Sequence, residues 1–185
     1  MVLSFNVSAE MDHSVHLAAM ESSQKRSVAN YVLPSVSLVD QNRVVNKLEN
    51  FLSSDKFLVV DFIFTTCTTV CPVLSSGLAY FHKKLGDDAS KVQFVSITID
   101  PEHDKPDILK DYSRKYKLPP DHVLLTGSRS DINKVMKAFD AVMSDKMTHY
   151  PLTFFRASDS QEWVRVFGLM SVSDMMKEYK HLTQM

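Results

Sequence analysis

The stretch FLVVDFIFTTCTTVCP, Phe57–Pro72, joins an almost unbroken apolar run to both cysteines of the chain and to a proline. A short run this apolar reads as a strand covered on both faces, as at the centre of a parallel sheet. Pro72 suits the first turn of a helix, where a missing N–H loses nothing. The order strand, cysteine loop, helix puts Cys67 and Cys71 at the carboxyl end of a central strand, where ligands and chemistry gather in open α/β sheets.

Working outward, further β-rich runs occur at Val92–Ile99, Val123–Leu125, Leu152–Phe155 and Trp163–Phe167. Segments with helical spacing separate them at Val73–Leu85, Ile108–Tyr116, Ile132–Phe139 and Val172–Leu182. Alternation of strands with such helices predicts βαβ units and a mainly parallel sheet. LTFFRASDSQEWVRVFG reads instead as strand, polar turn, strand, a hairpin. LPSVSLVDQNRVV suggests an earlier hairpin turning at Asp40–Asn42. The fold class predicted is α/β of the thioredoxin-like kind: a central mixed sheet, a C-terminal β-hairpin and flanking helices.

Residues 1–30 are polar and serine-rich and read as an N-terminal extension, with residues 31–185 as the folded domain. The start MVLSFNVSAEMDHS ends its first nine residues on VSA, like a small-residue cleavage site. It has no basic region and is short for a signal core. Two expectations follow: a domain of a longer exported or anchored protein, or a cytosolic chain. Apolar residues make up 44% of the 185 and charged residues 23%, which argues against wholesale disorder. A formal charge of -1 gives no electrostatic reason to expect nucleic acid or an acidic membrane surface. No apolar run approaches the about 18 residues a membrane span needs.

The cysteines allow several uses. Residues four apart in a helical turn lie on one face, with Cα atoms about 6 Å apart, within reach of a disulfide or of one shared ion. A helix start favours thiolate, the form that attacks disulfides and binds metals. A bridge closing so short a loop adds little stability, so a purely structural disulfide is the weak reading. The bland alternative is two unrelated buried thiols acting as small hydrophobes. Two cysteines cannot close a four-sulfur zinc site. Two soft thiolates and one imidazole suit trigonal Cu(I), or Cu(II) with a further weak ligand.

Seven histidines compete for that third place. His82 falls mid-helix and is expected to face solvent. His103 lies in IDPEHDKP after the second central strand, His122 precedes a short strand, and His181 belongs to the last helix. His149, in MTHYPLTFF, precedes the strand that opens the terminal hairpin, and in a thioredoxin fold that loop faces the cysteine loop. His149 is therefore the candidate. In MDHSVHLAAM, the residues Met11, His13, His16 and Met20 form a possible auxiliary copper cluster, weighed against an amphipathic segment whose Leu17 and Met20 pack on the domain.

In order, YVLPSVSLVD, VVDFIFTTCTTVCP, SITIDPEHDKPDILKDYSRKY, LLTGSRSDINKVMKAF and a downstream His149 resemble the Sco family, also called SenC/PrrC. The resemblance runs from about Tyr31 to Val166. It implies a copper-binding thioredoxin-fold protein that helps assemble the copper centre of cytochrome oxidase, with Cys67, Cys71 and His149 as metal ligands. The implied cargo is Cu(I), Cu(II) or both. The implied partners are a copper donor and a copper-accepting protein such as an oxidase subunit. The implied location is the periplasm, or a membrane-anchored position facing it, with the mitochondrial intermembrane space as the eukaryotic counterpart. Any membrane contact would run through an anchor not in this sequence.

Asp100, in the DPE segment, is expected to shape the turn into the next helix. One departure from the family is that Tyr150 and Pro151 follow the histidine where Ser or Thr is usual. Pro151 falls where thioredoxins place a cis-proline, which favours the rival reading of a thiol–disulfide oxidoreductase in which Cys67 attacks and Cys71 resolves. A peroxidase would need Thr65 and an arginine at the cysteine, and Arg156 lies on a strand instead.

Overall fold

A computed structural model describes residues 25–52, 55–142 and 150–184. Strand β4 (Phe57–Ile63) is buried along its whole length and pairs in parallel with β5 (Val92–Thr98), which pairs in parallel with β6 (Val123–Thr126). On the other side of β4 lies antiparallel β7 (Leu152–Arg156), followed by its hairpin partner β8 (Glu162–Phe167). The predicted early hairpin forms β2 (Ser37–Asp40) and β3 (Val45–Lys47) at the far edge. Asp40 Oδ1 accepts from the N–H groups of Asn42 and Val44, each at 2.8 Å, and Arg43 takes a φ of 66° to close the turn. With β1 (Lys25–Asn30) at the other edge, the mixed sheet runs β1-β8-β7-β4-β5-β6-β2-β3.

Strand β1 (Lys25–Asn30) is a finding against the sequence reading, which placed these residues in the polar extension. It pairs antiparallel with β8 from Lys25↔Phe167 to Asn30↔Glu162. Being an edge strand with almost every residue exposed, it carries no hydrophobic alternation to betray it. Arg26 fixes it to the last helix through paired hydrogen bonds to Glu178.

Among the described residues five α-helices complete the fold: α1 (Leu48–Leu52), α2 (Val70–Leu85), α3 (Pro106–Lys115), α4 (Arg129–Ala138) and α5 (Val172–Thr183). Ser128 and Ser171 cap α4 and α5 by accepting from the N–H groups of Asp131 and Asp174. Side chains alternate along β4. Leu58, Val60 and Phe62 join Ile132 and Val135 of α4 and Phe139 on one face, while Phe57 and Val59 join Leu78 and Phe81 of α2 and Met175 and Tyr179 of α5 on the other. Every wide face of the central strands is thus covered, which is why their sequences are apolar without alternation.

Phe62, fully buried, meets Phe139 and Phe154 edge-on with ring centroids 5.8 and 5.9 Å away. Phe62→Ala is expected to lower unfolding free energy by about 3–5 kcal/mol, as measured by urea denaturation.

Candidate metal centre

The chain leaves β4 at Ile63 and enters α2 at Val70 through the cysteine loop. The Cys67 N–H donates to the Phe64 carbonyl at 3.1 Å, turning the backbone sharply back toward the helix. Cys71 sits in the first turn of α2, and its N–H points at Cys67 Sγ, 3.4 Å away. The two sulfurs are thereby brought to one place, both as free thiols. Cys71 is fully enclosed, whereas Cys67 keeps 6% of its surface exposed and is the one that outside groups can reach.

The helix start does not make both thiols acidic, as the sequence reading supposed. Burial raises the Cys67 pKa, but the N–H groups of Cys71 and Thr69 together with the Thr69 hydroxyl outweigh it and hold this thiol below its ordinary value. Burial dominates at Cys71 and drives it well above; Cys67 and the charge of Asp61 add to the rise, and the Phe64 backbone only partly opposes it. The pair is therefore unequal: one thiol is eased toward thiolate and the other is held back from it.

What holds the loop in place was not found by sequence reasoning. Asp104, in the DPEHD segment, is completely buried. Its carboxylate accepts from the Thr65 hydroxyl at 2.5 Å, the Thr65 N–H at 3.1 Å and the Thr98 hydroxyl at 2.5 Å. One side chain thus ties the loop two residues before Cys67 to the end of β5. Asp100 shapes the turn that delivers it, as expected: its carbonyl accepts from the N–H groups of His103 and Asp104, and its own N–H donates to Thr98 Oγ1. Arg129 pins the outside of the same loop through Glu102, the Ile99 carbonyl and Asp100. With Thr65 so engaged and Arg156 bonded to the Leu52 carbonyl and stacked on Trp163, the peroxidase cradle is not assembled.

The histidines separate clearly. His103 and His181 are exposed. His82 is not simply solvent-facing, as expected from its sequence position: its ring lies against Phe94 and its Nε2 is 3.6 Å from an Asp121 carboxylate oxygen. His122 is buried, with Nε2 2.8 Å from Ser96 Oγ. His149 lies outside the described residues, as do Met11, His13, His16 and Met20. The chain resumes at Tyr150, whose ring packs on Phe167 with centroids 5.0 Å apart. Among the described residues no peptide bond is cis: Pro151, at the position where thioredoxins place a cis-proline, follows a trans bond, and its carbonyl accepts from Gly168 N–H. From there β7 starts beside the carboxyl end of β4, with Thr153 opposite Asp61. Among the described residues no third His, Cys, Asp or Glu joins the cysteines in a metal-holding group. Two free thiols at one helix start, with Cys67 Sγ 3.4 Å from the Cys71 backbone nitrogen, form a soft donor pair and fit a soft, thiophilic cation such as Cu(I).

A thioredoxin-like sheet with a Cys-x3-Cys pair between its central strand and the following helix defines a class of thiol-bearing α/β domains. The SCO1/SenC family profile matches residues 24–162, and the chain belongs to that family. The SCO1 protein homolog of Bacillus subtilis is 34% identical over 130 residues, covering 69% of this chain and 66% of the relative. The chain spans smaller shares of other relatives it matches. Among solved structures, BsSco, described as having a disulfide switch and as a member of the Sco family of cytochrome c oxidase assembly proteins, superposes with a TM-score of 0.70 at 25% identity. That match covers 86% of this chain and 97% of the other. Arabidopsis thaliana ScoI with copper bound shares the fold at a TM-score of 0.70 and 22% identity, over 83% of this chain and 99% of that one. No helix among the described residues is long and apolar enough to cross a membrane.

Two outcomes are expected. Under limiting iodoacetamide Cys67 is labelled first, at pH values where an ordinary thiol is still protonated, while Cys71 is labelled only on unfolding; peptide mass spectrometry reads the order. Asp104→Asn, which puts an amide where a carboxylate oxygen accepts, lowers stability by about 1–3 kcal/mol. It also quickens native-state labelling of Cys71 by loosening the loop, and an unchanged rate would show that the clamp does not hold the pair.

Proposed function

We propose that this protein is a copper carrier of the Sco type. Cys67 and Cys71 bind copper as thiolates, and an imidazole nitrogen of His149 completes the site. The observation that carries the reading is the pair of free thiols gathered at the β4–α2 junction, one reachable and one enclosed. A cation held there is seized through Cys67 and buried against Cys71, and it leaves by exchange of one sulfur at a time. Copper is favoured by the donor chemistry, by the family resemblance and by the copper found in the Arabidopsis neighbour. The start of β7 beside the carboxyl end of β4 supports His149 as third ligand, because that residue stands three positions before the strand.

The acceptor is the copper centre of cytochrome c oxidase or another exported copper protein, and a separate donor loads the carrier. The working compartment is the periplasm, or the intermembrane space in a mitochondrion. The segment before β1 is dispensable for the copper site. The protein turns over no small molecule in this role.

One observation favours a second reading. The low-pKa Cys67 beside the high-pKa Cys71 is the asymmetry of an attacking and a resolving thiol. On this reading the protein reduces the acceptor's cysteines before metal arrives.

Titration of the reduced protein with Cu(I) and with Cu(II) tests both readings. Cys67→Ala/Cys71→Ala is expected to lower affinity by more than the about 10–100-fold typical of losing a supporting contact, and His149→Ala to weaken Cu(II) most. If the double variant binds copper as tightly as wild type, the carrier reading fails. Brisk turnover of insulin disulfides would give the redox reading precedence.

A further inference from the structure

Asp61 is the lone charged residue of β4 and is 1% exposed. By the strand's alternation it faces α2, the helix that begins at the cysteines. The Ser96 hydroxyl, directly across the pairing with β5, donates to Asp61 Oδ1 at 2.5 Å. That leaves Ser96 Oγ to accept from His122 Nε2–H at 2.8 Å, so His122 Nδ1 is a bare lone pair, and it has no partner. Three side chains on or beside three adjacent strands form one buried row. Thr153 extends the row on β7, opposite Asp61. Asp61 Oδ2 and Thr153 Oγ1 are both without a hydrogen-bond partner.

No cation in this row offsets the carboxylate. Burial pulls His122 down to about 3, so its ring is neutral at physiological pH. The groups that register the Asp61 charge lie toward the cysteine site: it adds to the upward push that burial gives both Cys71 and Tyr112, whose hydroxyl is hydrogen-bonded to Ser75 of α2 at 2.7 Å. A buried carboxylate with an unpaired oxygen is unfavourable for folding. What would offset it is a cation bound by the neighbouring sulfurs.

We propose that Asp61 sets the preference of the thiol pair between Cu(II) and Cu(I), acting as a fixed negative charge behind Cys71. This inference rests on the copper reading above. Two thiolates and the carboxylate sum to three negative charges, leaving one with Cu(II) and two with Cu(I). Coulomb attraction to the fixed charge is twice as large for the doubly charged ion, and in this dry interior it is only weakly screened. Asp61 therefore favours Cu(II) binding over Cu(I) without touching the metal.

The test compares Cu(II) and Cu(I) affinities by competition with chelators selective for each ion. It is done at pH 8, above the value of about 7 to which burial raises this carboxyl. Asp61→Asn, which keeps shape and removes charge, and Asp61→Ser, smaller and also neutral, should each lower the Cu(II)-over-Cu(I) affinity ratio on the order of tenfold. Ser96→Ala removes the hydrogen bond that holds the Asp61 pKa down, so at pH 8 it should lower the ratio in part. A higher pH should restore it, while the two Asp61 variants do not recover. A ratio unchanged in both Asp61 variants overturns the proposal. So does an equal loss in affinity for both ions, or a fall with Ser96→Ala that a higher pH does not reverse, because each would mean that packing, not charge, is at work. Failure of the copper reading looks different: Cys67→Ala/Cys71→Ala would then bind as tightly as wild type, and this proposal would fall with it.

Discussion

The carboxylate of Asp104, sealed from solvent, receives three hydrogen bonds from Thr65 and Thr98 and so welds the cysteine loop to the end of β5. Charge-assisted bonds of this kind are roughly twice as strong as neutral ones, and inside a protein their loss leaves buried donors unpaired. A loop that must present two sulfurs to one point cannot rely on its own backbone, since only the Cys67–Phe64 turn and the first turn of α2 constrain it locally. The constraint comes from a segment some 39 residues later in the chain. Arg129, Glu102 and the Asp100 turn then hold that segment from outside, so the loop inherits the rigidity of the sheet and of α4.

The same placement makes the two thiols unequal. Cys67 stops two residues short of the helix cap, where N–H groups point at its sulfur and a little surface remains open. Cys71 is one turn further in, wrapped by apolar side chains and facing the field of Asp61. A carrier benefits from that inequality because one sulfur can be approached by an incoming or departing partner while the other keeps the cargo from water. A reductase benefits as well, since attack and resolution need different thiols. The geometry is common ground for both chemistries, and the donor set and family membership favour the carrier.

Much of this was legible in the chain. The central strands announced themselves because burial on both faces demands continuous apolar residues, and the two hairpins showed as breaks between short β-rich runs. Asp40 marked the early turn because its side chain can stand in for a backbone acceptor. Strand β1 was not legible: its pairing with β8 is carried by backbone hydrogen bonds, which leave no trace in side-chain pattern when both faces are exposed. Asp104 was hidden in a polar loop motif where Asp100 drew attention, and Asp61 looked like a blemish in an apolar run. His122 read as a residue at the margin of a strand, yet it is buried against Ser96.

The sequence by itself determined the fold class, the position of Cys67 and Cys71 after the central strand, and the family, because these follow from local periodicity and from motifs read in order along the chain. Only the tertiary structure decided that the thiols differ in acidity, that Asp104 anchors their loop, that Pro151 follows a trans bond, and that Asp61, Ser96 and His122 meet across adjacent strands. Each of these depends on burial or on contacts between residues far apart in sequence. Desolvation and Coulomb fields act through space, so no reading along the chain can weigh them.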